Sequence, residues 1–104
     1  MPNHKMLDIK YTKRALKSLQ KVRKSDKRLY EKVTAAIEEI RINPFVGEPK
    51  QGDLEGYSCY DIHHMRTNYE LCYRQEEDEN GNLILIVMFG TRENFYEELK
   101  RYLL

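Results

Sequence analysis

Seven consecutive apolar residues, Leu83-Ile84-Leu85-Ile86-Val87-Met88-Phe89, constrain the fold of this chain more than any other feature. The run is too short to cross a membrane as a helix. It is rich in branched side chains and follows the turn-forming segment Glu76–Asn82 (EEDENGN), which contains an Asn-Gly step. Such a run reads as a β-strand, and because both of its faces are apolar, the strand must be central, covered on both sides. A chain of 104 residues has room for one modest core, so one domain over residues 1–104 is expected around this strand.

The remaining elements follow from periodicity. Leu7–Tyr11 alternates and reads as a first strand, and Thr12 offers an N-cap. A helix to about Lys24 is predicted from Ala15, Leu19 and Val22, with Leu16 beside that stripe. Ser25-Asp26 provides a break and a new cap. A second helix then runs to about Ile42 on Leu29, Val33, Ala36, Ile37 and Ile40, and Asn43-Pro44 stops it. Residues 43–56 hold three of the five glycines and two of the three prolines and read as a loop. Tyr57–His64 and Tyr69–Gln75 read as strands around a turn at His64–Asn68. Glu76–Asn82 reads as a hairpin loop, and Arg92–Leu104 as a last helix with Phe95, Leu99 and Tyr102 inward. The order β-α-α-β-β-β-α defines an α+β fold: a twisted, mostly antiparallel four-stranded sheet, a helical hairpin on one face, and a C-terminal helix. The other face is expected to be wet.

Charge is distributed unevenly. Residues 1–32 hold eleven Lys/Arg and three Asp/Glu, a net of +8, whereas residues 33–104 hold seven and fourteen, a net of −7. Lys13, Lys17, Lys21, Lys24 and Arg28 recur at helical spacing as a basic stripe, which suits a polyanion or an acidic protein partner. The first residues lack the apolar stretch of a secretory signal and no membrane span is present, so a cytoplasmic location is expected. Cys59 and Cys72 match no metal-ligand spacing and read as reduced thiols. Neither a metal nor another cofactor is expected.

Strand parity selects candidate functional groups. Leu71, Tyr73, Ile62 and Tyr60 are assigned to the helix-covered face, which places Asp61, His63, Glu70 and Arg74 on the wet face. Asp61 and Glu70 are expected to pair with Arg74. Lys50 and Arg92 are placed at the rim. Arg92 and Tyr96 lie four apart and would share one face of the last helix, a cation beside a ring suited to a phosphate and a base.

These elements, together with Lys50-Gln51-Gly52-Asp53-Leu54-Glu55-Gly56-Tyr57, Tyr69-Glu70-Leu71-Cys72-Tyr73 and Phe89-Gly90-Thr91-Arg92 with Tyr96 downstream, resemble the RelE/ParE superfamily of type II toxins over essentially the whole chain. One branch of that superfamily cuts mRNA in the ribosomal A site; another poisons DNA gyrase; both are neutralised by an antitoxin. The resemblance implies a cognate antitoxin partner and a ribosome-dependent, metal-independent mRNA endoribonuclease. Gyrase inhibition, or antitoxin binding without catalysis, is the alternative. For cleavage, Arg92 is assigned as the phosphate cation, His63 as acid or base, and Tyr96 as a stacking ring. Lys50, Arg66 and His64 are assigned to RNA contacts, and Lys13, Lys17 and Lys21 to phosphates or to an acidic antitoxin helix. RNase relatives often carry an arginine early in the third strand, where this chain has Glu70, so the general base is left open.

Overall fold

A computed structural model describes residues 6–104. Its elements are β1 (Asp8–Tyr11), α1 (Lys13–Ser25), α2 (Lys27–Ile42), β2 (Glu48–Pro49), β3 (Ser58–His64), β4 (Thr67–Asp78), β5 (Gly81–Thr91) and α3 (Phe95–Leu103). The sheet order is β1-β5-β4-β3-β2, parallel between β1 and β5 and antiparallel elsewhere. The α+β class and the helical hairpin are as expected. The sheet has five strands rather than four, because two residues of the proline-containing loop pair with the edge of β3. Proline lacks an N–H and is tolerated at such an edge. No helix among the described residues is long and apolar enough to cross a membrane.

Strand β5 lies between two layers. Ile84, Ile86 and Phe89 pack with Leu71, Tyr73 and Ile62 beneath Ala15, Leu19, Leu29, Val33, Ala36, Ile37 and Ile40 of the helical hairpin. On the opposite face, Val87 and Met88 pack with Cys59, Cys72, Leu54, Phe95 and Leu99. Val87 and Met88 are consecutive yet share that face, because the β4–β5 register shifts at Cys72/Tyr73 and leaves Val87 unpaired. The extra residue of this bulge resets the alternation. The second face is therefore only partly wet, since Phe95 and Leu99 of α3 cover its middle.

Several boundaries differ from those read in the sequence. The β4–β5 pairing extends to Asp78 and Gly81, so most of the expected acidic loop is a two-stranded ribbon with its turn at Glu79-Asn80. A ribbon needs only backbone hydrogen bonds, which hydrophobicity does not report. The β3–β4 turn is two residues, Met65 and Arg66, not the longer segment His64–Asn68. Both residues have positive φ, 50° and 69°, as a type I′ turn requires. Helix α3 starts at Phe95, because Asn94 takes a left-handed φ of 61°. Arg92 is thus outside the helix, its amide donating to the Asn68 carbonyl at 2.8 Å. Tyr102 is not inward: it is 42% exposed, with the Arg14 guanidinium 5.4 Å from its ring centre.

One side chain, Tyr73, ties the start of the long loop to the sheet. The Tyr73 hydroxyl accepts the Gly47 amide at 2.9 Å and donates to the Pro44 carbonyl at 2.6 Å. A Cβ on Gly47 would come within 2.6 Å of that hydroxyl, so only glycine fits there. Tyr73→Phe is expected to cost roughly 1–3 kcal/mol by leaving both loop groups unpaired. A denaturant midpoint unchanged from wild type would contradict this anchoring role.

Candidate active site

The tight β3–β4 turn fixes which side chains meet. In a two-residue hairpin the residues flanking the turn, here His64 and Thr67, form a hydrogen-bonded pair, and the ladder alternates from there. His63–Asn68, Asp61–Glu70 and Cys59–Cys72 are directly opposite and fall on non-hydrogen-bonded rungs, where side chains approach most closely. All three pairs lie on the α3 side of the sheet.

Glu70 is the centre of this row. It is 1% exposed, and its Oε1 accepts the Tyr96 hydroxyl at 2.5 Å. Its Oε2 is buried without a hydrogen-bond partner among the described residues. Burial, and after it the Asp61 carboxyl, push Glu70 up to about 7, against the opposing effects of the Tyr96 hydroxyl and the Arg92 charge. Tyr96 is itself raised, first by burial and then by its bond to Glu70. Lys50 Nζ lies 4.7 Å from the centre of the Tyr96 ring and 2.7 Å from Glu48 Oε1. Burial works against the Lys50 charge, but the Glu48 and Tyr96 contacts outweigh it and raise its pKa. Lys50 therefore remains a fixed cation. Phe95 meets Tyr96 edge-on, with ring centres 5.6 Å apart.

At one end of the row the His63 Nδ1 donates to Asn68 Oδ1 at 2.8 Å, and the Arg92 amide donates to the Asn68 backbone carbonyl. An amide oxygen only accepts, so Nδ1 carries a proton and Nε2 takes no part in that bond. The site is a strip: His63 and Arg92 at the Asn68 corner, then Asp61 and Glu70, then Tyr96 and Lys50.

The structure thus brings Lys50, His63, Arg92 and Tyr96 together, while other predicted residues lie elsewhere. His64 is 6% exposed and points the other way, its Nε2 3.1 Å from Asp26 Oδ2, where Asp26 also caps α2 through the Leu29 amide. It is an internal strut between β3 and the helical hairpin. Arg66 is exposed at the turn. Lys13, Lys17 and Lys21 are exposed on α1, across the sheet from Glu70. Arg74 does not pair with Asp61 or Glu70. It bonds to the Tyr57 hydroxyl at 3.2 Å and lies 3.6 Å from Glu76. The coupling of Glu70 to Tyr96 was not legible in the sequence. A correct reading of Met65-Arg66 as the turn would have supplied the Asp61–Glu70 rung, but neither residue type signals positive φ.

A parallel-edged antiparallel sheet, a helical hairpin on one face and a C-terminal helix beside a charged strip define a RelE/ParE-type toxin fold. The chain belongs to the family of ParE-like toxins of type II bacterial toxin–antitoxin systems, whose model matches residues 9–100. It is similar to a YoeB/ParE toxin from Agrobacterium tumefaciens, with a TM-score of 0.72 and 21% identity over 83% of this chain and 99% of that one. It is also similar to a chain of the RelBE2 toxin–antitoxin complex from Mycobacterium tuberculosis, with a TM-score of 0.59 and 23% identity over 85% and 100%. A mutant of the Escherichia coli toxin RelE in the free state gives a TM-score of 0.64 and 18% identity over 93% and 98%. No curated protein matches the chain.

The raised pKa makes Glu70 a stability switch. A carboxyl held above its unfolded value stabilises the fold at low pH, and that stability is lost as pH rises from about 4.5 to about 7. Glu70→Gln removes the dependence. Relative to wild type, the variant is expected to gain on the order of 2–3 kcal/mol between pH 4 and pH 8. Denaturant titrations at the two pH values check this, and a pH-independent difference would refute it.

Proposed function

We propose that this toxin is a metal-independent endoribonuclease that cuts mRNA on the ribosome, restrained by a cognate antitoxin. The observation that carries the reading is the buried Glu70 carboxyl, pushed up to about 7 by burial and by Asp61 and bonded to a half-buried tyrosine, in a strip that also holds Arg92 and Lys50. Cleavage by attack of a ribose 2′-hydroxyl requires a base, a cation for the phosphorane and an acid for the leaving oxygen. A base is most effective when its pKa lies near the working pH. Glu70 is buried, so Tyr96 carries the proton to it: the tyrosine oxygen takes the 2′ proton as its own proton passes to Glu70. Arg92 and Lys50 hold the phosphoryl oxygens, and His63 Nε2, charged beforehand from solvent, protonates the 5′ oxygen. The lysines of α1, across the sheet, serve as sequence-independent phosphate contacts on a large RNA.

In this scheme Tyr96 is a relay rather than a stacking platform, since Lys50 occupies one face of its ring. The family's ParE-like description supports a second reading, gyrase poisoning without catalysis. Primer extension on mRNA after induction separates the two. Cleavage whose rise with pH up to about 7 is lost in Glu70→Gln, and which falls at least 10²-fold in Tyr96→Phe and Arg92→Ala, is expected. Gyrase-linked DNA breaks with mRNA left intact would sink the endoribonuclease reading.

A further inference from the structure

The row that holds Asp61–Glu70 ends in two thiols. Cys59 and Cys72 are the next rung on the same face, directly opposite one another. Both are free, at 4% and 0% exposure. The alternation set by the Met65-Arg66 turn makes this a non-hydrogen-bonded rung, whose Cα atoms are typically about 4.5 Å apart. That lies within the roughly 4.4–6.8 Å that a disulfide spans, near its short limit, where a bridge is strained and easily reduced. The two thiols are not equivalent. The Cys72 thiol, and then the Lys50 cation, pull Cys59 down against its burial, whereas Cys59 and burial push Cys72 up. Cys59 is therefore the better nucleophile and Cys72 the reserve of protonated thiol. Phe95 and Leu99 of α3 belong to the same apolar cluster as both thiols, and the next residue along from Phe95 is Tyr96.

We propose that Cys59 and Cys72 form a reversible dithiol–disulfide site, oxidised by peroxide, in the floor beneath α3. The Cys59 thiolate attacks hydrogen peroxide, forming a sulfenic acid and releasing hydroxide, which a proton converts to water. The Cys72 thiol then displaces the sulfenic oxygen as a second water, closing the S–S bond. Two thiols lose two electrons and two protons, and one peroxide becomes two waters. In a reducing compartment such a bond is transient and regulatory rather than structural. Closing the S–S bond to about 2.05 Å shifts the apolar floor that Phe95 and Leu99 share with the two thiols, so oxidation loosens α3.

The site is read without any assay of toxin activity and is independent of the endoribonuclease reading. The purified full chain is treated with a few equivalents of hydrogen peroxide under native conditions and measured by intact mass. A loss of 2 Da, a linked Cys59–Cys72 peptide and full reversal by dithiothreitol are expected. Cys59→Ser should react at least tenfold more slowly, and Cys72→Ser should gain 16 Da as a trapped sulfenic acid. Hydrogen exchange of residues 95–99 should rise in the oxidised wild type. Oxygen addition without a link, dimers joined between chains, or no reaction at a dose that oxidises free cysteine would overturn the proposal without recourse to a variant. A disulfide that leaves exchange in α3 unchanged would overturn the coupling to the helix.

Discussion

Everything in this molecule depends on burying β5 from both sides. A strand apolar on both faces cannot sit at an edge or under a single layer. The helical hairpin covers Ile84, Ile86 and Phe89, and α3 covers Val87 and Met88. The bulge at Val87 lets the strand serve both layers, because it turns two consecutive side chains to the same face. The α3 layer is small, nine residues, and leaves the end of the sheet near Asn68 uncovered. That gap is where the charged strip lies.

The strip inherits its precision from a backbone turn rather than from its own side chains. Positive φ at Met65 and Arg66 fixes the β3–β4 register. The register in turn places His63 against Asn68, Asp61 against Glu70 and Cys59 against Cys72. Two carboxyls facing each other across one close rung disfavour double ionisation, and burial of one of them decides which keeps its proton. Tyr96 and Lys50 then complete the surroundings of Glu70 from α3 and from the proline-containing loop, which Tyr73 anchors. Three distant segments thus converge on one acidic group.

Evenness of charge over the whole chain conceals a separation across the sheet. The basic stripe of α1 is on the hairpin side and the buried Glu70 carboxyl is on the α3 side, so the sheet stands between them. Arg14 of α1 bridges to Glu98 of α3 at 3.3 Å and ties the two layers at the edge.

The sequence determined the elements with the strongest periodicity. Both helices of the hairpin, their caps at Thr12 and Asp26, and the central place of Leu83–Phe89 were legible, because apolar spacing and capping chemistry are local. Parity also placed Asp61, His63 and Glu70 on one face. Register, turn geometry and the reach of α3 were not legible. Two-residue turns without glycine or asparagine carry no composition signal, Asn94 ended the helical path by a left-handed φ that few sequences announce, and an acidic ribbon pairs through its backbone alone. His64 and Arg74, plausible as site residues by type, were taken up by Asp26 and by Tyr57 with Glu76. Residue types and faces came from the chain itself. Which acid would be buried, which cation would stand over which ring, and which two thiols would meet were decided only by packing, since each depends on contacts between residues far apart in sequence.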